Sequence, residues 1–273
     1  AGETPLHNYL QSGRFHISTV KLLFQHPKIN VFASAANGET AAHIAVKMEN
    51  MELFDLFYLH PDFDPSSVDN VGNGFFHKIE SVDLLTKLLS DPRFDPNLCN
   101  KNGNTPLHDF VNSRSSRYKE VVTVLLEDPR VNLLIQNGNG DTVVHIAGEK
   151  FVLQLLGHKN SSQLISLRNH KGETPLCVAV RQNFPLVVIQ ELLDMGAEES
   201  LSFEVVKKYC DNITMRYRCN YVIDLIVLLL QTSGFSPAEI FTKEQQQKFG
   251  KPVDDRILLL RSKAVRKQKY EYL

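Results

Sequence analysis

The chain has 273 residues, of which 42% are hydrophobic and 22% are charged, and its formal net charge is −1. This composition is typical of an ordered protein with a large buried core and argues against a disordered chain. The first part is acidic, because residues 1–200 carry 17 Lys and Arg against 23 Asp and Glu, and this argues against nucleic-acid binding.

Membrane insertion and disulfide bonding are not expected either. The longest apolar run, around residues 221–230, is far shorter than the ~20 residues that span a bilayer, so we predict no integral membrane segment. The N-terminus does not resemble a secretory signal. The four cysteines form no Cys-x-x-Cys pair, which favours a reducing compartment and predicts a cytoplasmic location.

One six-residue motif recurs along the chain. It reads Gly-Glu-Thr-Pro-Leu-His from Gly2, and intact or altered copies begin at Gly38, Gly72, Gly103, Gly140 and Gly172. The intervals between these glycines are 36, 34, 31, 37 and 32 residues. A period in this range predicts a stack of supersecondary units rather than one globular core. Because the first copy starts at the second residue, we expect an incomplete first repeat and a longer parent protein.

The copy at Gly103 shows how one unit is predicted to fold. The glycine suits a turn with positive φ, Thr105 can cap a helix, and Pro106 fits the first helical turn. The apolar residues of 121–126 predict a second helix, which Pro129 ends. Four prolines that end such helices lie 11 residues before the next motif glycine: Pro27, Pro61, Pro92 and Pro129. A constant length predicts connecting fingers that stack in register.

The span between the two helices of a repeat is variable. Its length predicts that repeats three and five lack about one helical turn, and that residues 112–117 form a polar loop in repeat four. After residue 199 the motif stops, although helical patterns continue. We therefore predict two parts: six repeats over residues 1–199, and a helical C-terminal cap or small helical domain over residues 200–273. The basic end, residues 261–269, suits either an anionic contact or a solvated helix terminus.

The chemistry-bearing residues favour structure over catalysis. Five histidines share one motif position and are expected to hydrogen-bond neighbouring fingers: His7, His43, His77, His108 and His145. His26 and His60 precede prolines at helix ends, where a cation is favourable, and are expected to be capping or surface groups. Cys177 should be buried, and Cys99 should lie at a finger tip. No nucleotide-binding, hydrolase or metal motif is present, so we predict no enzyme activity, no metal and no cofactor.

The repeated Thr-Pro-Leu-His with its helix pair and finger resembles the ankyrin repeat family over roughly residues 2–199. The resemblance implies an all-α ankyrin-repeat solenoid with a helical cap. It also implies a protein-protein interaction module, or scaffold, that binds a partner protein through its concave face, and we expect a monomer. The aromatics Phe75 and Phe76 stand in the most altered motif copy and are expected to be buried rather than to form an exposed anchor.

The positions four and two residues before each motif glycine are expected at finger tips and differ chemically between repeats. Either they are selected for one ligand or they vary as surface loops do. The candidate partner-binding residues are Ser34, Val68, Asn70, Cys99, Lys101, Gln136, Arg168 and His170.

Two further interpretations concern the parent protein. The repeats could be the substrate-recruiting arm of a larger enzyme. The irregular, Phe- and Asn-rich repeats also resemble those of bacterial effector proteins, which would place the chain in a host cytosol.

Overall fold

A computed structural model describes residues 2–113, 117–158, 161–182 and 184–197, together with Lys243 and Val253. The chain forms two compact units, Ala1–Gln154 and Leu155–Leu273. Apart from those two single residues, the predicted cap over residues 200–273 lies outside the described residues. The centre of the predicted polar loop, residues 114–116, also lies outside them, so both stay predictions.

Paired helices follow each motif, as the sequence predicts. They are α1 (Pro5–Gln11) and α2 (Ile17–Gln25), α3 (Ala41–Lys47) and α4 (Met51–Tyr58), a 3₁₀ helix (Phe75–Lys78) and α5 (Val82–Ser90), α6 (Pro106–Asn112) and α7 (Tyr118–Glu127), α8 (Val143–Ile146) and α9 (Glu149–Leu156), α10 (Ser161–Leu164), and α11 (Pro175–Arg181) and α12 (Leu186–Asp194). The described ranges contain no strand beyond one isolated bridge between Ser34 and Thr40. Within them, no helix has the length and apolarity needed to cross a membrane.

Threonine caps open the first helices. The hydroxyl oxygen of Thr105 accepts a hydrogen bond from the amide of His108 at 3.4 Å, and Thr4 and Thr174 cap their helices in the same way. The 3₁₀ helix of repeat three and α8 of repeat five have four residues each, whereas the other first helices have seven. The predicted loss of about one turn in these two repeats is confirmed.

Packed aromatic side chains take the place of Pro-Leu in the altered motif of repeat three. Phe75 and Phe76 are only 2% and 4% exposed, which confirms their predicted burial. The Phe75 ring centre lies 5.5 Å from that of Phe63 and 5.9 Å from that of Phe94. It also lies 4.4 Å from the ring of His43 in the preceding repeat. Aromatic pairs at such distances add about 0.5–1.5 kcal/mol beyond burial, and this cluster therefore joins repeats two and three.

The second helices end at a side chain that caps the following turn. The Asp128 carboxylate accepts the amide of Arg130 at 2.9 Å and forms an ion pair with its guanidinium at 2.7 Å. His26 and His60 accept the corresponding amides through Nδ1, at 3.3 and 3.2 Å. The prediction that these two histidines are capping groups is confirmed by this geometry.

Neighbouring fingers in the first unit are joined through their backbones. The amides of Asn70, Lys101 and Gly138 each donate to a carbonyl of the preceding finger at 2.8 Å, namely those of Asn37, Val71 and Asn102. Gly38 has a φ of +80°, and a Cβ atom placed there would lie 2.4 Å from the Asn70 amide nitrogen. The glycine therefore satisfies two requirements, a left-handed backbone and contact with the next finger.

Replacing Gly38 by alanine tests this contact. We expect Gly38→Ala to lower the free energy of unfolding by about 3 kcal/mol, since left-handed strain of about 1–2 kcal/mol adds to steric overlap. Gly13→Ala is the matched control, because Gly13 has a φ of +67° but an added Cβ meets no described atom within 4 Å. It should lose only the strain of about 1–2 kcal/mol. Urea denaturation followed by circular dichroism measures both, and equal losses would refute the finger contact.

Candidate interaction surface

The eight candidate residues all lie exposed on fingers. In the first unit, Ser34, Val68, Asn70, Cys99, Lys101 and Gln136 occupy four consecutive fingers, and in the second unit Arg168 and His170 share one finger. The backbone bonds between fingers bring the first six into one row. The finger-tip placement that the sequence predicts therefore agrees with the geometry, while their role in binding stays a prediction.

Half of these side chains bond to a finger backbone, and one of them is Cys99, whose thiol donates to the carbonyl of Asn97 at 3.4 Å. Gln136 donates to the carbonyl of Gly140 at 2.5 Å, and Arg168 donates to the carbonyl of Gly172 at 2.8 Å. Asn70 donates through Nδ2 to the carbonyl of Ala36 at 2.6 Å. These bonds turn the polar atoms inward, toward their own or the preceding finger. Such residues are weaker candidates for partner contact than their exposure suggests.

Other tip side chains face solvent without such a bond within the finger. Val68 and the neighbouring Val71 are 41% and 48% exposed, and Lys101 follows on the next finger, where its amide bonds to the Val71 carbonyl. Val71 was missed in the sequence because it lies one residue before Gly72, outside the two positions considered. The available signal was a second valine in an otherwise polar turn.

An acidic or amide residue three positions before the glycine shapes four of the fingers. The Asp69 carboxylate accepts the amides of Val71 and Asn73 at 2.9 and 2.8 Å. The same pair of bonds recurs at three other positions, Asn100, Asn137 and Asn169. The recurrence of Asp or Asn at this position was a sequence signal for a side chain that closes its own turn.

Amide side chains also link one finger to the next. Nδ2 of Asn100 donates to Oδ1 of Asn73 at 3.0 Å, and Nδ2 of Asn137 donates to Oδ1 of Asn104 at 2.9 Å. Asp69 occupies the corresponding position between repeats two and three, but a carboxylate has no proton to donate. A different link is therefore required at that junction.

Lys78 supplies the link between repeats two and three. Its Nζ lies 2.7 Å from the Asp69 carboxylate and 3.0 Å from the Glu39 carboxylate. The side chains of Lys78, Glu39 and Asp69 are only 16%, 6% and 5% exposed. Lys47 approaches Glu39 at 3.3 Å from the surface, where it is 50% exposed. We call Glu39, Asp69 and Lys78 the charged cluster.

The pKa values in the charged cluster favour its ionised form. Burial alone would raise the pKa of Asp69, but hydrogen bonds from Lys78 and from the Asn73 and Val71 amides outweigh it and lower the pKa to about 2. Burial also opposes ionisation of Glu39, yet Lys78 and Asn37 hold its pKa below the usual range. The two carboxylates in turn raise the pKa of Lys78 against the effect of burial.

The motif histidines bond to the next repeat, as expected. Nε2 of His7 lies 2.9 Å from the carbonyl of Glu39, and Nε2 of His108 lies 3.2 Å from that of Asp141. His77 makes the same bond at 3.1 Å to Asn104. In His108, Nδ1 accepts the Thr105 amide at 3.2 Å, so Nε2 carries the proton and donates. The structural role predicted for these rings is confirmed at these three positions.

His43 departs from this arrangement. Its Nδ1 accepts the Thr40 amide at 3.2 Å, but its Nε2 is buried without a hydrogen-bond partner among the described residues. The ring instead stacks on Phe75 of the altered motif. Burial and the charge of Lys78 lower the pKa of His43 to about 4, and nearby Glu39 does not offset them. The ring is therefore neutral at pH 7.

The cysteines do not form a reactive centre in the described part of the chain. Cys177 is 2% exposed and its sulfur accepts a hydrogen bond from Thr174 at 3.3 Å. Cys99 is exposed at a finger tip, and partial burial and the charge of Asp95 raise its thiol pKa, which disfavours the nucleophilic thiolate. No group of three His, Cys, Asp or Glu side chains in the described ranges could hold a metal ion.

Helix pairs joined by stacked fingers define a repeat protein of the solenoid class. Residues 6–57 match the family described as "Ankyrin repeats (many copies)", and residues 102–138 match "Ankyrin repeat". These matches show that the chain contains ankyrin repeats. No curated protein sequence matches the chain.

Solved structures share this fold. The ankyrin repeat protein EF0377 superposes with a TM-score of 0.54 at 19% identity, covering 69% of this chain and 96% of that one. The ankyrin repeat domain of Bcl-3, a member of the IkappaB protein family, also gives 0.54, at 24% identity, with 70% and 82% covered. Both likenesses support the all-α ankyrin solenoid and concern the fold alone.

Removing the cation of the charged cluster should be costly. We expect Lys78→Met to lower the free energy of unfolding by about 3 kcal/mol, because it leaves two buried carboxylates without their shared partner. Lys47→Met is the control, since this exposed lysine contacts the same Glu39 but should contribute less than about 1 kcal/mol. Urea denaturation at pH 7 compares the two. Similar losses would mean that Lys78 acts as a surface ion pair.

Acid should weaken the fold through His43. Its pKa falls from 6.5 to about 4 on folding, so the unfolded chain binds the proton more tightly, and stability present above pH 6.5 is lost as the pH falls toward 4. The loss should approach about 3 kcal/mol. Unfolding free energies measured between pH 7 and pH 4 should show a smaller slope for His43→Gln. An unchanged slope in His43→Gln would contradict the assignment.

Proposed function

We propose that this chain binds a partner protein through its finger tips and the adjoining first helices, and that it has no catalytic activity of its own. Ankyrin repeats generally serve as protein-protein interaction modules. One observation carries the proposal for this chain: hydrogen-bonded fingers hold chemically different, exposed side chains in a fixed row.

Fingers held by hydrogen bonds favour binding, because they lose little conformational entropy when the partner binds. The tip amides are bonded to neighbouring fingers, and Asp69 and its counterparts close the turns from within. A surface that is ordered before the partner arrives avoids part of the entropy cost of association. The exposed apolar pair Val68 and Val71 would then act as an anchor at the centre of the first-unit row.

The charges of the first-unit tips suggest the chemistry of the partner. Over residues 34–38, 68–72, 99–103 and 136–140, the acidic residue Asp69 is buried, and Lys101 is the exposed charged residue. Lys47 is half exposed on α3. These features suit a partner segment with an apolar side chain for the valines and a carboxylate near Lys101, whose charge would chiefly raise the association rate.

The thiols are consistent with the expected location. Cys99 is a free thiol exposed at a finger tip. An exposed free thiol is better suited to a reducing compartment, which supports the proposal that the chain acts in the cytoplasm.

A double substitution at the tips tests the proposed surface. We expect Val68→Ser with Lys101→Glu to reduce partner recovery at least tenfold, a loss of about 1.4 kcal/mol in binding. The matched control is Leu153→Ser with Lys119→Glu on the second helices, because Leu153 is also 41% exposed and the charge change is identical. Affinity capture from a cell lysate with quantitative mass spectrometry measures recovery. Equal recovery by both variants would place the binding site elsewhere.

A further inference from the structure

The exposed valines Val68 and Val71 belong to one finger, residues 67–73, which we call the valine finger. Between them lies Asp69, whose carboxylate is a member of the charged cluster. One carboxylate oxygen, Oδ1, accepts the amide of Val71 at 2.9 Å. The other oxygen, Oδ2, lies 2.7 Å from Nζ of Lys78. One oxygen therefore closes the finger, and the other attaches it to the 3₁₀ helix.

Lys78 also attaches the valine finger to the finger before it. Its Nζ lies 3.0 Å from Oε1 of Glu39, and Oε2 of Glu39 accepts a hydrogen bond from Nδ2 of Asn37 at 2.9 Å. The carbonyl of Asn37 accepts the amide of Asn70, in the valine finger, at 2.8 Å. These contacts form a closed ring that begins and ends in the valine finger. Because Lys78 is the cation between the two carboxylates of this ring, its removal would open the ring.

Val71 connects the valine finger to the finger that follows. Its amide donates to Asp69, and its carbonyl accepts the amide of Lys101 at 2.8 Å. Val71 and Lys101 are residues that the proposed partner contacts require, one as part of the apolar anchor and the other as the cation. A displacement of the Asp69 carboxylate would therefore shift both of these residues.

The next two fingers are held by neutral groups instead. Asn100 and Asn137 occupy the position of Asp69, and each accepts two backbone amides of its own finger through Oδ1. Each also donates through Nδ2 to the residue after the preceding motif glycine, which is Asn73 at 3.0 Å and Asn104 at 2.9 Å. A carboxylate cannot donate in this way. Among these three fingers, the valine finger is therefore the one that depends on a cation.

We propose that Lys78 is a positioning residue for partner binding, which holds the valine finger in the conformation that presents Val68 and Val71. The inference rests on the proposed function of the finger tips. The Lys78 side chain is only 16% exposed, so it acts on binding through Asp69 rather than by touching the partner. Without the cation, two almost fully buried carboxylates face each other, and the finger must open for them to reach water. An open finger must be ordered again when the partner binds, which lowers the affinity.

The later fingers suggest a double variant that replaces the ion pair by an amide link. In Asp69→Asn with Lys78→Met, Oδ1 of the introduced amide can accept the same backbone amides as the carboxylate does. Its Nδ2 can donate to Glu39, which follows its motif glycine as Asn73 and Asn104 follow theirs. This double variant lacks the cation but keeps the finger closed. It therefore separates the loss of Lys78 from the loss of the finger conformation.

Hydrogen exchange at pH 7, followed by NMR of the full chain, measures the opening of single fingers. We expect Lys78→Met to raise the exchange rates of the Val71 and Asn73 amides about tenfold. The double variant should return these rates to within about twofold of the wild-type values. Lys47→Met is the control variant, because Lys47 pairs with Glu39 at 3.3 Å from the surface, and it should change the rates by less than about twofold.

Two amides in a distant finger report on overall stability. The amides of Asn139 and Asp141 bond to Asn137, and in Lys78→Met their exchange rates should change by less than about twofold. An equal increase at these amides and in the valine finger would mean that Lys78 affects only overall stability, which would overturn the inference. Failure of the double variant to slow the exchange of the valine finger would also overturn it.

Partner capture tests the link to binding. The probe is the set of lysate proteins that the wild-type chain retains and that Val68→Ser with Lys101→Glu loses. Recovery of this set should fall about tenfold in Lys78→Met and return to near the wild-type level in the double variant. Full recovery by Lys78→Met would overturn the inference and leave the finger-tip function intact. If Val68→Ser with Lys101→Glu loses no protein, the proposed function fails, and the binding role of Lys78 fails with it.

Discussion

The structure of the first unit depends on the close approach of neighbouring finger backbones. At three junctions an amide of one finger lies 2.8 Å from a carbonyl of the preceding finger, and this distance leaves no room for a Cβ atom at Gly38. The contact satisfies backbone groups that would otherwise require a strand partner. It also sets the spacing of the helix pairs, which explains why fingers keep a constant length over four repeats while the spans between helices vary. At Gly38, Gly72 and Gly103 the motif glycine is thus a requirement of stacking.

Different side chains link neighbouring fingers at successive junctions. Amide pairs link the fingers beyond Asn73, whereas the charged cluster links repeats two and three. The ionic solution carries a desolvation cost, because Glu39 and Asp69 are almost fully buried and Lys78 is only 16% exposed. At the same junction His43 lacks the carbonyl bond that other motif histidines make, and stacking on Phe75 takes its place. The altered motif, the aromatic cluster and the ion pairs are therefore parts of one local rearrangement.

Periodicity predicted the helix pairs, the fingers and the two shortened repeats, since these features depend on residues close in sequence. It also located the candidate tips, because their distance from the motif glycine is constant. It did not show that Gln136 and Arg168 bond within their own fingers, or that Val71 is more exposed than Val68. The charged cluster was also missed, because Glu39 and Lys78 are 39 residues apart and meet only when two fingers stack. The register in which two repeats stack decides which of their side chains pair, and the linear sequence does not give these pairs directly.

Constant fingers and variable turns divide the chain into segments that differ in their tolerance of length change. One residue inserted into the finger before Gly72 would move the Asn70 amide away from the Asn37 carbonyl and shift the left-handed position. An insertion between the helices of a repeat leaves both finger contacts in place. In repeat four, where the sequence predicts a longer turn, the Gly138 amide still bonds to the Asn102 carbonyl of the preceding finger at 2.8 Å. The interhelical turns are the sites where this chain can gain epitopes, tags or new loops without losing its stacking register.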